Sequence, residues 1–530
     1  MTNCNIALIL EENAAAFGTR TAIVDEEGRL LSFHDLNERV KQQSAALLAE
    51  GLKREQIVLL AVAPGIDFFV ALLAILRVGA RVLLIEPGSA KRVLSCLDAV
   101  RPDFVLTVPW LVPLFACRYR TFTLSNRKSD QAPAAAFVES KGGALITFTS
   151  GTTGSVKAIE RSHGFLVQQA EVIDKSLALS ASPCTLTTLP VFTLAHLFYG
   201  VTTILVGKKS CRKALKLVDR HQPKKILCAP AFLTGLLEES AGQDLSCLDE
   251  VLVGGAPIFP SLVEAVLARL PQATVTSVYG ASEAEPICHF SVSSSQGAGY
   301  RRLHELAAEG QGLYLGKCED RSVNLLMLSE ADLARLLNQS RVTEEELSRL
   351  SAAEGHLLVA GKHVNQGYFN EQKGTNKLRV LQKDGTIKVY HATGDMCKML
   401  AGELVLTGRA GYESKCKKGR YPLMVEAFAK THEGIGEAAY VELDGPSFLA
   451  VLAVTLKGRE ANLEPELEAY CKKEFIKLVV MKKLPMDARH GSKVLYEKLK
   501  KELRALGYSR PRGTWAVTTE EPSCLSKASI

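Results

Sequence analysis

The chain has no Cys-x-x-Cys pair; its 13 cysteines, an odd number, are scattered from Cys4 to Cys524. That spacing gives neither a zinc knuckle nor a disulfide framework, and it fits a protein working in a reducing, cytoplasmic compartment. Long uninterrupted apolar runs are missing too. The nearest candidate, "IVLLAVAPGIDFFVALLAIL", is broken by Pro64, Gly65 and Asp67, and a membrane span would have to bury that carboxylate in lipid. It predicts instead a buried strand, a turn and a core helix. The start, "MTNCNIALILEENAAAF", has no basic leader and reaches Glu11 and Glu12 after a short apolar run, unlike a secretory signal. Internal repeats and low-complexity tracts are absent. So is a large charge imbalance: 64 Lys and Arg against 57 Asp and Glu leave +7. Much of it sits in helices such as "VLYEKLKKELRAL", whose lysines read as a solvated face rather than a nucleic-acid surface.

Apolar residues are plentiful, at 47% of 530 residues with 23% charged, enough for large cores in two or more domains. In the first half, "QIVLLAV", "DFFVALLAILRVG", "RVLLIEP", "KRVLSCLDAVR" and "DFVLTV" alternate β-rich runs with amphipathic stretches; "CTLTTLPV", "LVDRHQPKKILCAP" and "TVTSVYG" continue the series. Alternation of this kind predicts an α/β fold of βα units around mostly parallel sheets. Residues 324–352 predict a helical insertion, with box-like helix starts at Ser329–Asp332 and Thr343–Glu346. From "GHLLVAGKHVNQGYFN" to "GELVLTGR" short strands and glycine turns predict a small β-barrel-like unit. Beyond Gly408 the composition turns lysine-rich, with "EAAYVELDG" and "SFLAVLAVTL" as hairpin strands among helices. We therefore expect a large N-terminal domain, residues 1–408, and a small mobile α+β domain, residues 409–530.

"ALITFTSGTTGSVK" delivers a strand into a loop of glycines and hydroxyls that ends three residues before Lys157. Backbone N–H groups and hydroxyls suit phosphate oxygens, because many weak donors converge without large side chains intruding. It is not a Walker A sequence, since Ser155 and Val156 stand between glycine and lysine.

The order "TSGTTGSVK" resembles the phosphate loop of the adenylate-forming superfamily, which includes acyl-CoA synthetases, peptide-synthetase adenylation domains and luciferases. Further motifs follow in that family's order: "GGAPIFP" its adenine turn, "VYGASEAEP" its Tyr-Gly-x-Thr-Glu motif, "HATGDM" its Thr-Gly-Asp motif and "LTGR" the start of its crossover. "LPMDARHGSKVLYEKL" takes the place of its catalytic-lysine segment, so the resemblance spans nearly the whole chain. The resemblance implies that Thr149, Ser150, Gly151, Thr152, Thr153, Gly154 and Lys157 hold the β and γ phosphates of ATP. It implies that Glu283 coordinates Mg²⁺, that Tyr279, with Gly280 and Ser282, covers one adenine face, and that Gly255, Ala256 and Pro257 line the other. Asp395 would take the ribose hydroxyls with Arg409 beside it, and Lys493 would bridge the acid and the α-phosphate. Thr193 and His196 are the candidate gate to an acid pocket.

The implied reaction is ATP-dependent conversion of a carboxylic acid, with a fatty or β-hydroxy fatty acid expected, to an acyl-adenylate, followed by transfer to CoA or another thiol, free or on a carrier protein. Some departures from the family bear on the acceptor. Gly411 replaces the hinge aspartate two residues after Arg409, and the lysine–glycine–arginine pattern that follows survives only in Lys415 and Arg420. "PMDARHGSKV" is also similar to the corresponding segment of the β-lactone synthetases of bacterial olefin biosynthesis. There the substrate's own hydroxyl displaces AMP and no thiol is needed. Two further alternatives stand: a serine hydrolase with Ser282 on a nucleophile elbow, and a nucleotide binder without turnover.

Overall fold

The computed structural model describes residues 3–86, 89–124, 134–148, 157–317, 323–339, 341–369, 376–444, 449–457, 463–486 and 494–508. The longest apolar run is a strand, Ile57–Ala61, and a helix, Ile66–Val78, which ends at Gly79 in a left-handed conformation (φ +79°). Every residue of that helix except Asp67 is buried, because it lies in an apolar layer shared by two sheets. No helix among the described residues is long and apolar enough to cross a membrane.

The βα alternation produces those two sheets. One has six strands in the order Arg120–Thr123, Phe104–Thr107, Ile57–Ala61, Arg81–Leu83, Gly143–Phe148, Ala158–Ser162, parallel except for the last pair. The other has eight, in the order Ala284–Val292, Thr274–Ala281, Glu250–Gly254, Lys225–Cys228, Cys184–Thr187, Thr202–Leu205, Thr21–Val24, Leu30–Ser32, with a parallel interior and an antiparallel pair at either edge. Parallel strands must be covered on both faces, and Phe33, Leu36, Phe69 and Leu73 fill the layer between the sheets. Phe148, Gly254 and Ala281 stand at the carboxyl ends of their strands, where open α/β sheets bind ligands.

The third sheet is the expected small β unit, seven strands built mainly from Leu313–Lys317, Glu403–Arg409, Ile387–Leu400, Glu354–Gly361 and Val323–Leu328. The expected helical insertion is thus part strand: Val323–Leu328 joins this sheet, and helices Glu330–Leu337 and Glu344–Leu350 follow it. Both helix starts are capped as their sequences predict. Ser329 Oγ accepts from the Asp332 N–H at 3.1 Å and Thr343 Oγ1 from the Glu346 N–H at 3.3 Å. Leu333, Leu336 and Leu347 then pack on Leu358 and Leu378 of the sheet.

After Arg409 a left-handed turn at Gly411 (φ +79°) leads to helix Pro422–Ala429 and a sheet of Ile435–Leu443, Leu449–Leu456 and Ile476–Val480. The first two strands form the expected antiparallel hairpin. Side chains alternate across it: Tyr440 and Leu452 face helices Pro422–Ala429 and Pro465–Lys473, while Val441 and Val451 face helix Tyr496–Ala505.

Candidate active site

Glu283 sits on a two-residue connection, Ser282 and Glu283, between strand Thr274–Ala281 and its antiparallel partner Ala284–Val292. A nucleophile elbow needs a helix after the serine; here a strand turns straight back, and the hydrolase geometry for Ser282 is not formed. The Glu283 side chain is turned inward, 9% exposed. The Tyr368 hydroxyl, with one proton to give, lies 3.1 Å from Glu283 Oε1 and 2.6 Å from Asn376 Oδ1. His391 Nε2 is 3.8 Å from Glu283 Oε2. Burial, reinforced by Lys377, Lys157 and Arg409, drives the His391 pKa well below its ordinary value, so the ring stays neutral.

Four residues before Glu283, Tyr279 donates from its hydroxyl to Asp395 Oδ2 at 2.6 Å. Burial first, then the Asp395 charge, holds the tyrosine pKa well above normal and keeps it a donor. Asp395 and Arg409 stand directly opposite each other on paired strands, and Arg409 Nη1 donates to Asp395 Oδ1 at 2.8 Å. Each carboxylate oxygen keeps a second acceptor direction, which suits two adjacent ribose hydroxyls. Gly254 pairs with Val278, so the turn at Gly255, Ala256 and Pro257 emerges beside Tyr279. Gly255 has φ +83° with open space around its α-carbon, leaving room for a flat ring. Gly280 falls where the strand register shifts between Tyr279 and Ala281.

Lys157 comes in from the six-stranded sheet, its ammonium 5.3 Å from the centre of the Tyr368 ring; Lys377 approaches the same ring at 5.4 Å. Burial pushes the Lys377 pKa down to about 7, opposed by Glu283 and helped by Arg161 and Lys157. The structure therefore brings Lys157, Glu283, Tyr279, Asp395 and Arg409 together from three sheets. Thr149, Ser150, Gly151, Thr152, Thr153, Gly154 and Lys493 lie outside the described residues. Thr193 and His196 are fully buried in helix Pro190–Phe198, with His196 Nδ1 3.0 Å from Thr203 Oγ1. Burial, then Lys225, lowers the His196 pKa to about 3, so that it is a neutral core residue in this arrangement. The sequence assigned no role to Arg161, Asn365, Tyr368, Lys377 or His391.

A cavity of about 270 Å³ opens along strand Ala284–Val292, lined by Pro286, Ile287, Phe290, Tyr314, Val323 and Leu325 among others, with Ser176, His289 and Lys317 among its polar members. Its wall begins three residues past Glu283.

Comparison with known proteins adds to this geometry. The family described as AMP-binding enzyme matches residues 10–369. The chain is 27% identical over 513 residues to the olefin beta-lactone synthetase of Stenotrophomonas maltophilia (strain K279a), covering 88% of this chain and 90% of that protein. It is 24% identical to 4-coumarate–CoA ligase 5 of Oryza sativa subsp. japonica, with 86% of each covered. Among solved structures, O-succinylbenzoate Coenzyme A synthetase from Bacillus subtilis, in complex with ATP and magnesium ion, superposes with a TM-score of 0.71 at 20% identity, covering 93% of this chain and 99% of that one. At that identity the likeness establishes the fold alone.

Proposed function

The chain belongs to the AMP-binding enzyme family, and from that premise we propose that it activates a carboxylic acid with ATP, releasing pyrophosphate and holding the acid as an acyl-adenylate. The observation that carries this reading is the convergence of Lys157, Glu283 and the Tyr279–Asp395–Arg409 chain on one set of strand ends. A carboxylate oxygen attacks the α-phosphorus, the bond to the β-phosphate breaks, and pyrophosphate leaves. Two anions meet in that step, so catalysis amounts to placing cations and aligning the reactants. Lys157 offsets phosphate charge from one side, and Lys493, carried by a small domain of residues 409–530, bridges acid and α-phosphate from the other. Asp395 and Arg409 hold the ribose, and Tyr279 and the Gly255–Pro257 turn hold the base.

Glu283 suits Mg²⁺, since its hard carboxylate oxygens are the donor type that ion selects while taking its remaining ligands from phosphate and water. When bound, the ion neutralises charge on the phosphates.

We assign a fatty acid as substrate and, in the favoured case, a β-hydroxy fatty acid whose hydroxyl oxygen attacks the acyl carbon. The carbon–oxygen bond to phosphate breaks, AMP leaves, and the hydroxyl proton is released as a β-lactone closes. Support comes from the Stenotrophomonas relative, from the mostly apolar cavity along strand Ala284–Val292, and from Gly411, which takes the left-handed turn where the family's hinge aspartate stands. Transfer to CoA is the second reading, favoured by the rice ligase. Product masses from an acid panel, with and without CoA, decide between them. A lactone formed without CoA supports the first, an acyl-CoA the second, and no acid-dependent pyrophosphate release contradicts both.

A further inference from the structure

A two-residue hairpin connection ordinarily has only its own strands to steady it. The Ser282–Glu283 connection is instead gripped at both of its carbonyls, by a residue of the six-stranded sheet and by one from the segment that follows strand Glu354–Gly361 of the third. Arg161 donates from Nη2 to the Ser282 carbonyl, and from Nη1 to Thr147 Oγ1 at 2.7 Å. Thr147 and Arg161 both belong to the six-stranded sheet, on the strands either side of the glycine-rich loop. The Glu283 carbonyl accepts the Asn365 N–H at 2.7 Å.

Asn365 uses every polar group it has. Its Nδ2 donates to the Glu160 carbonyl at 2.7 Å, its Oδ1 accepts from the Gly367 N–H at 3.0 Å, and its own carbonyl accepts from Lys377 Nζ at 2.6 Å. One residue thus joins the Glu283 turn, the strand that leaves Lys157 and the third sheet. Lys377 closes the set. Lys377 is 7% exposed, and its ammonium is directed at that carbonyl and at the Tyr368 ring. Burying an ammonium this way is costly, and a methionine, one atom shorter, would fill most of the space without that cost.

We propose that Arg161, Asn365 and Lys377 are positioning residues, a three-point brace that fixes the Glu283 carboxylate relative to Lys157 and so sets the enzyme's grip on its metal-bound nucleotide. The proposal rests on the reading that Glu283 holds Mg²⁺ during acid activation. Groups that orient a ligand without touching the metal change metal affinity or activity by roughly 10- to 100-fold when removed. A brace differs from packing by what it moves.

The test measures pyrophosphate release against Mg²⁺ concentration for wild type, Lys377→Met and Lys377→Arg, with urea midpoints alongside. Lys377→Met should raise the half-saturating Mg²⁺ roughly tenfold or more, lower kcat and leave the acid KM unchanged, and Lys377→Arg should restore most of both. If Lys377→Met does not fold, Asn365→Ser, which loses the side-chain tie to Glu160, is held to the same criterion. An active wild type whose folded variants keep the wild-type Mg²⁺ dependence, whatever their stability, overturns the brace alone. A wild type that releases no pyrophosphate with any acid overturns the activation reading beneath it.

Discussion

Glu426 lies 4% exposed in helix Pro422–Ala429, where it accepts from the Tyr440 N–H at 3.0 Å and the Tyr496 hydroxyl at 2.8 Å. Tyr496 starts the last described helix, just after the Met486–Val494 bridge that brackets the sequence holding Lys493. Burial raises the Glu426 pKa from 4.5 to about 7, more than its hydrogen bonds and Lys430 lower it. The folded protein therefore keeps a proton there that the unfolded chain gives up between pH 4.5 and 7. Stability contributed by that proton is complete below 4.5, is lost as pH rises, and is gone above 7. The difference of 7 − 4.5 = 2.5 pKa units corresponds to about 3 kcal/mol at full development. Glu426→Gln keeps an acceptor oxygen for both tyrosines and abolishes the titration. Hydrogen exchange of the peptide covering Ile435–Leu443 reads the opening of this unit separately from the rest of the chain. Between pH 8 and pH 5 the wild type should gain about 2 to 3 kcal/mol of opening free energy relative to Glu426→Gln. A difference that stays flat across that range, or grows with pH, would refute the assignment.

Asp395→Asn removes the charge that faces Arg409 and that we assign to the ribose, an interaction worth about 1.5–3 kcal/mol, so the KM for ATP should rise roughly 10- to 100-fold in steady-state assays. Gly316→Ala would place a Cβ 2.3 Å from the His289 carbonyl oxygen at φ +119°, and a urea titration should show a loss of about 2–4 kcal/mol. Lys493→Ala should still bind ATP in equilibrium dialysis while forming little acyl-adenylate.

Much of the fold can be read locally. The period of "IVLLAVAPGIDFFVALLAIL" places strand, turn and helix, and the hydroxyls of Ser329 and Thr343 announce helix starts, because those signals act within a few residues. Val323–Leu328 escaped such reasoning: its place is fixed by pairing with Glu354–Gly361, a partner too distant for a local pattern to reveal. Motif order marked Glu283, Tyr279, Asp395 and Arg409 as one group, and the side chains do converge. The brace left no trace in the sequence. The bond from Asn365 to Glu160 spans 205 positions, that from Arg161 to Ser282 spans 121, and neither asparagine nor arginine is unusual where it stands. His196 shows the opposite limit, since a histidine near a motif looks the same in sequence whether it faces a ligand or, as here, lies buried in the core.

The central claim is that the acid itself strikes the α-phosphorus. Incubating the enzyme with ATP, Mg²⁺ and a β-hydroxy fatty acid labelled with oxygen-18 in its carboxylate, then weighing the released nucleotide, tests this directly. The account predicts AMP carrying one heavy oxygen taken from the acid. Unlabelled AMP, or ADP in its place, would contradict it.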